Sequence, residues 1–398
     1  MKVLQLCNKP PYPAKDGGCI AIKNISLGLL SNRVKLKILT METEKHPFLK
    51  DEFPSDFIKR TKIESIFIDT KLNVIDAFSA LVTSDSYNIS RFFSSDFNSK
   101  LKSILINNEY DIVHLESLFL TPYIDTIRRN SKSKIILRSH NLEHLIWERL
   151  ANLEKNKAKK IYLKHLAKKL KQYEKSVLND VDAIATISSE DQNRYVELQC
   201  NVPIETISFA LKINQYPPTY YDITKNKLKL FHIGSMDWMP NIEAINWFVN
   251  DIFPQLNNKD ITLNIAGKNM PKHLLNLNLK NFKANKEVKS AIEYMSKFDV
   301  MIVPLLSGSG MRIKIIEAMA LGKTVITTSV GLEGIDAKNG KEVLVADSEE
   351  MFISQINFLS QNPEKNRMIS ENARCFIEKH HNSEIINKHL LDLYNKAQ

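Results

Sequence analysis

A chain of 398 residues, 43% hydrophobic and 25% charged, is long enough for two or three domains and has the make-up of an ordinary globular protein. Its four cysteines, Cys7, Cys19, Cys200 and Cys375, are scattered without a C-x-x-C pair, so they read as reduced thiols rather than a disulfide framework. No run of 18 apolar residues occurs, and the short apolar start is soon followed by Pro10, Pro11 and Pro13; neither a membrane span nor a signal peptide is expected, and the expected place is cytoplasmic.

In chain order, short β-rich runs alternate with helical ones. Strands are predicted at Val3–Leu6, Lys35–Leu39, Ser65–Ile68, Ile112–Leu115, Lys134–Arg138 and Ala183–Thr186, then at Lys229–Ile233, Thr262–Ala266, Val300–Val303, Thr324–Thr327 and Val343–Val345. Strand–helix alternation builds parallel sheets covered on both faces, which bind ligands at the carboxyl ends of their strands. The expected fold class is therefore α/β, with two Rossmann-like doubly wound domains facing a central cleft. Pro217-Pro218 can continue neither a helix nor a central strand, which marks 211–221 as the hinge. The domains are then 1–210 and 211–382, with a C-terminal helix from about 383 to 398 packing back on the first.

The net charge of +10 sits mostly in the first half, where residues 1–200 hold 32 Lys and Arg against 24 Asp and Glu. Between Glu154 and Lys175 there are nine lysines and two glutamates, while Leu163, Leu166, Leu170, Tyr173 and Val177 recur at helical steps. This amphipathic helix has a basic face suited to an anionic lipid surface; an ordinary solvated face over a core stripe is the alternative.

Several junctions carry polar or glycine residues where ligands are expected. Gly17-Gly18 follow the first strand and permit close backbone approach, although paired glycines also simply make turns. His140-Asn141-Leu142-Glu143-His144 has the H-x-x-E-H spacing of a zinc site, but His140 follows a strand directly and belongs on a loop, where its imidazole would meet a polar substrate. Asp180-Val181-Asp182 leads into a strand and is read as its solvated start rather than a metal ligand pair. Gly234 and Ser235 stand at the first strand–helix turn of the second half, with Trp238 covering the loop.

The most informative run is Ser307-Gly-Ser-Gly-Met-Arg-Ile-Lys-Ile-Ile-Glu-Ala-Met-Ala-Leu-Gly322. A helix from Met311 to Leu321, ended by Gly322 as a left-handed cap, is apolar apart from Arg312, Lys314 and Glu317. Such a helix is buried, and buried charges need partners. Ser309, Gly310 and Met311 bring a ligand to its N-terminus, where free N–H groups and two cations receive an anion such as a diphosphate. Glu317, nearly two turns further in, suits the hydroxyls of a ribose. A Lys314–Glu317 ion pair is the alternative.

With these residues in view the chain resembles retaining glycosyltransferases of family 4, which have the GT-B architecture. The resemblance rests on Gly17-Gly18, His140-Asn141, Gly234-Ser235-Met236-Asp237-Trp238, Pro240-Asn241, Glu317-Ala318-Met319-Ala320 and Gly322, and it runs over essentially the whole chain. It implies a nucleoside diphosphate sugar donor, UDP or GDP, bound mainly by the second domain, and a glycan or lipid-linked acceptor held by the first. No cofactor, obligatory metal or nucleic acid is implied. By the same carry-over Glu317 holds the ribose, Arg312 and Lys314 neutralise the diphosphate, Gly17 and Gly18 approach it, and His140 contacts the transferred sugar. Where such enzymes usually have a sugar-binding glutamate, eight residues before Glu317, this chain has Ser309.

The expected role is cell-envelope polysaccharide synthesis by a cytoplasmic enzyme, peripheral on the inner face of the membrane. Two other readings stay open at this point: a sugar-nucleotide epimerase of the same fold, and a non-catalytic nucleotide-binding scaffold at a membrane surface.

Overall fold

The computed structural model describes residues 1–14, 16–69, 89, 92–224, 227–256, 258–308 and 310–398. It divides into two compact units: unit 1 is Met1–Ala210 together with Ser383–Gln398, and unit 2 is Leu211–Asn382.

Unit 1 is built on seven parallel strands: β1 (Lys2–Cys7), β2 (Lys35–Glu42), β3 (Glu64–Phe67), β4 (Ile112–Leu115), β5 (Lys134–Ser139), β6 (Ala183–Thr186) and β7 (Ile204–Thr206). Their order across the sheet is β3-β2-β1-β4-β5-β6-β7, so the winding reverses between β1 and β4. Strands covered on both faces read as continuous apolar runs. β4 is buried at every residue, and β1 at all but its first. Alternation splits them between two cores. Val3, Cys7, Ile112 and Ile136 pack with Ile25 and Leu29 of the helix Gly17–Ser31 and with Ile386, Leu390 and Tyr394 of the C-terminal helix Ser383–Ala397. Leu4, Leu6, Val113, Leu115, Ile135 and Leu137 point the other way, onto Phe97, Leu101 and Ile127. Gly28 allows the close approach of the C-terminal helix: a Cβ there would lie 2.0 Å from Asn387 Oδ1.

Unit 2 holds six parallel strands, β8 (Leu228–Ile233), β9 (Ile261–Ala266), β10 (Phe282–Asn285), β11 (Val300–Val303), β12 (Thr324–Thr327) and β13 (Leu344–Val345), in the order β10-β9-β8-β11-β12-β13. Here the reversal falls between β8 and β11. Leu228, Leu230, Leu263, Val300, Ile302 and Ile326 form one core with Phe248 and Phe352. The helix Ile313–Ala320 follows β11, three residues shorter than its apolar run predicts because Arg312 takes the N-cap position and Leu321 the C-cap. It ends at Gly322 with φ +67°, where Gly322 N donates to Met319 O and Lys323 N to Ala318 O, each at 3.0 Å, a Schellman closure.

The strands expected from the sequence are all present, with ends moved by at most three residues, the most at β2, which runs on from Leu39 to Glu42. β7 and β10 were not anticipated: both are short edge strands without a sustained apolar pattern.

Candidate functional site

In doubly wound sheets a ligand sits beyond the carboxyl ends of the strands where the winding reverses. In unit 2 that place is the end of β8 and the segment joining β11 to the helix Ile313–Ala320. Gly234 follows β8 directly, its N–H donating to Ala266 O at 3.1 Å. A side chain has no room there: a Cβ on Gly234 would lie 2.7 Å from Asn241 Nδ2 and 3.2 Å from Lys314 Nζ.

Asn241, buried on the helix Met239–Trp247, links the parts of this site. Its Nδ2 donates to Ser235 O at 2.8 Å and its Oδ1 accepts from Lys314 Nζ at 2.9 Å. His232, wholly buried in β8, donates Nδ1–H to Ile302 O at 2.8 Å, which leaves its Nε2 lone pair 3.4 Å from the same ammonium. Burial, and then the Lys314 charge, hold the His232 imidazole well below its usual pKa, so it is neutral at physiological pH. Lys314 is thus surrounded by neutral acceptors. Burial, followed by repulsion from Arg312, brings its ammonium down to about 7.

Arg312 is 5% exposed, with Nη2 donating to Val330 O at 3.3 Å and its guanidinium 6.0 Å from the Trp238 ring centre. Gly308, at φ +117°, passes between them; a Cβ there would meet Trp238 at 3.1 Å and Arg312 Nη2 at 3.3 Å. Gly310 is also left-handed, at φ +81°. The helix that follows has no side-chain cap, so its first N–H groups and the two cations share one end. Met311 packs on Gly334, 3.6 Å from where a Cβ of that residue would be. Ser309 lies outside the described residues.

Glu317 stands apart from the cations. Its Oε1 accepts from Tyr216 OH at 2.8 Å, and burial raises its carboxyl while that hydrogen bond opposes the rise. The Lys314–Glu317 ion pair open to the sequence is not formed: each group has a different partner. Tyr216 is itself held by Arg374, whose Nη1 donates to its carbonyl at 2.6 Å. Ser235 Oγ donates to Asp237 Oδ1 at 2.5 Å, which orders the turn.

In unit 1 the corresponding place holds a buried polar cluster. Glu116 follows β4 and is wholly buried; Oε1 accepts from Gln5 Nε2 at 2.6 Å and Oε2 from Arg138 Nη1 at 3.1 Å. His114 Nε2 lies 3.1 Å from Oε1 and His140 Nε2 3.5 Å from Oε2. Burial by itself would raise the Glu116 carboxyl, but His114 and Arg138 outweigh it and hold the group well below the usual carboxylate range. Burial, then Arg138, lower the His140 imidazole, with Glu116 pulling the other way.

Gly17 and Gly18 open the helix Gly17–Ser31, capped by Asp16, whose Oδ1 accepts from Cys19 N at 2.9 Å. The space beside Gly18 is taken by Lys9, whose ammonium would be 2.5 Å from a Cβ and pairs with Asp16 at 2.9 Å. Asp16, Cys19 and His46 offer ligand atoms within 4.8 Å of one another, but Lys9 already supplies the positive charge there. The second histidine of His140–His144 is engaged elsewhere: His144 Nδ1 bonds Glu174. Asp182 accepts from Ile135 N at 2.7 Å and pairs with Arg128 at 2.8 Å, as a strand-start residue does.

The structure therefore brings Lys314 beside Gly234 and Arg312 beside Gly308, and sets Glu317 just over one turn along the same helix. Asn241 and His232 were not singled out by role from the sequence. A buried histidine in an otherwise apolar strand was the available signal for His232.

The architecture is of the GT-B class, and comparison with known proteins agrees. Residues 227–362, most of unit 2, match the family model described as glycosyl transferases group 1. Over its whole length the chain is similar to sucrose-phosphate synthase of Thermosynechococcus elongatus (TM-score 0.69, 14% identity, 100% of this chain and 99% of that one). It is also similar to HepE of Anabaena, crystallised with UDP (TM-score 0.66, 14% identity, all of both chains). In sequence it is 25% identical, over 96% of this chain and 97% of the other, to a Klebsiella pneumoniae protein described as an uncharacterized 44.6 kDa protein in the cps region.

Proposed function

We propose that this protein is a metal-independent retaining glycosyltransferase, moving a hexosyl group from a nucleoside diphosphate sugar to a hydroxyl of a glycan or lipid-linked acceptor in polysaccharide synthesis. The observation that carries the reading is the placing of Lys314 beside Gly234 and of Arg312 beside Gly308 at the end of Ile313–Ala320 that has no side-chain cap. Two cations and free N–H groups beside two glycines form a seat for a diphosphate, and among the described residues no carboxylate pairs with Lys314. The family match over 227–362 and the place of the Klebsiella relative in a cps region support the same reading. UDP is the favoured nucleotide, since the similar HepE has been crystallised with UDP and with UDP-glucose.

In this reading charge grows on the leaving β-phosphate as the sugar becomes oxocarbenium-like, and Arg312 and Lys314 stabilise it where water is excluded. Glu317, already accepting from Tyr216 on one oxygen, takes the ribose hydroxyls on the other. Gly234, Ser235, Gly310 and Met311 line the seat; Ser309 takes the place of the usual sugar-binding glutamate; Gly17 and Gly18 approach the donor; His140 contacts the sugar. The acceptor hydroxyl attacks from the face the nucleotide leaves, and its proton passes to the departing phosphate oxygen.

The basic helix Lys157–Val177 supports a peripheral place on an anionic membrane. Ile161 is 70% exposed among its lysines, an arrangement suited to a lipid interface. Liposomes containing phosphatidylglycerol should sediment the protein, and neutral ones should not.

The test of the function is incubation with UDP-, GDP-, ADP- and dTDP-sugars, with thermal shift as the binding readout. Arg312→Ala and Lys314→Ala should lower kcat more than they raise the donor KM. Unchanged kcat in both variants would refute the leaving-group role.

A further inference from the structure

Asn241 lies in the first turn of the helix Met239–Trp247, 5% exposed, and its partners allow its amide one orientation. Ser235 O offers only lone pairs and the Lys314 ammonium only hydrogens, so Nδ2 must face the first, at 2.8 Å, and Oδ1 the second, at 2.9 Å. His232 is fixed in the same manner: Ile302 O takes its Nδ1–H, and Nε2 is left as an acceptor 3.4 Å from Lys314 Nζ. An ammonium has three hydrogens to give. Two meet Asn241 and His232; among the described residues the third has no protein acceptor, and Lys314 is only partly buried, so a ligand can reach it. Both acceptors are neutral. A carboxylate stands three residues along, in Glu317, yet it bonds Tyr216 instead. A charge taken out of water and met by neutral groups costs more than an apolar residue of the same volume would, so the arrangement points to a use for that charge.

We propose that Asn241 is a positioning residue for Lys314: its neutral amide ties the ammonium to the Gly234–Ser235 turn while leaving the positive charge uncancelled for the donor diphosphate. The proposal rests on the diphosphate seat described above. Gly234 belongs to the same device, because a Cβ there would lie 2.7 Å from Asn241 Nδ2 and 3.1 Å from its Cγ and would push the amide off Lys314. Among the described residues, the charged and titratable groups that face Lys314 are Arg312, from its own segment, and His232, from β8.

The experiment titrates Lys314 and then the donor. In full-length protein labelled with carbon-13 at lysine Cε, with Lys314 assigned through Lys314→Arg, the midpoint should move in opposite directions in two variants of similar size. Asn241→Leu removes an acceptor from the charged form and should lower it; Asn241→Asp sets a carboxylate against the ammonium and should raise it. A loosened fold would not split the two in this way, and an unmoved midpoint in either variant overturns the proposal. Binding of UDP-glucose, followed by calorimetry at pH 7, should weaken about tenfold to a hundredfold in Asn241→Leu, the effect of losing one hydrogen bond to a charged group. In Asn241→Asp it should also weaken, because the carboxylate cancels the charge, but should hardly change between pH 7 and pH 9. In a Lys314→Met background Asn241→Leu should cost UDP-glucose affinity nothing more; a further tenfold loss there would place the effect elsewhere and overturn the proposal. Should Asn241→Leu fail to fold with Ser235 O unpaired, Asn241→Asp carries the test through its upward shift and flat profile. The lysine is titrated without substrate, so the expected shifts in a protein that binds no nucleotide sugar would refute the reading of the site and leave the hold of Asn241 on Lys314 standing.

Discussion

Lys314 makes donor binding depend on pH in a way that can be calculated. In the free protein its ammonium titrates at about 7, against a usual 10.5. A diphosphate placed between Arg312 and Lys314 favours the charged form, returning the pKa toward its usual value and coupling binding to proton uptake. The free lysine is half protonated at pH 7 and about one-hundredth protonated at pH 9, so affinity should fall roughly fiftyfold across that interval, close to 1.4 kcal/mol per pH unit on the upper part. A nucleotide sugar is the right ligand, because its diphosphate has no ionisation in this range. His232 does not interfere, being neutral throughout. Calorimetry in buffers of different ionisation enthalpy should find about half a proton taken up at pH 7 and nearly one at pH 8.5. Lys314→Arg, charged at every pH, should flatten the profile. Flat affinity for the wild type with no proton uptake would refute the placement of the diphosphate beside Lys314. The sign for folding is opposite: with its folded pKa lowered, Lys314 costs stability below pH 7, and that cost is relieved as pH rises toward 10.5.

Glu317→Ala should weaken nucleotide binding by about 1.5–3 kcal/mol, the range for a hydrogen bond to a charged group, measured by titration with UDP and GDP. Tyr216→Phe should raise the Glu317 carboxyl further, because the opposing hydrogen bond is lost, so nucleoside affinity should fail at a higher pH than in the wild type as the solution is acidified. Gly28→Ala should destabilise the protein by about 1–3 kcal/mol through overpacking against Asn387, read as a lower Tm, and Asn387→Ala in the same chain should recover most of it.

Local pattern was enough for much of this molecule. Continuous apolar runs such as Val300–Val303, bounded by polar loops, specify buried strands wherever they pack, and the helix closed by Gly322 announced itself through a run of apolar residues broken by three charges. The edge strands β7 and β10 escaped because a strand with one partner needs little apolar surface. The partners of the charges were beyond the reach of the sequence. Lys314 and Glu317 sit three apart, as an ion pair would, yet Lys314 meets Asn241, 73 positions away, and Glu317 meets Tyr216, 101 away. Glu116 is bonded to Gln5 across 111 residues, and Tyr394 to His114 across 280. Periodicity along a chain encodes which face a residue presents; which other face it meets depends on strand order and register, and these arise only when the whole sheet is assembled.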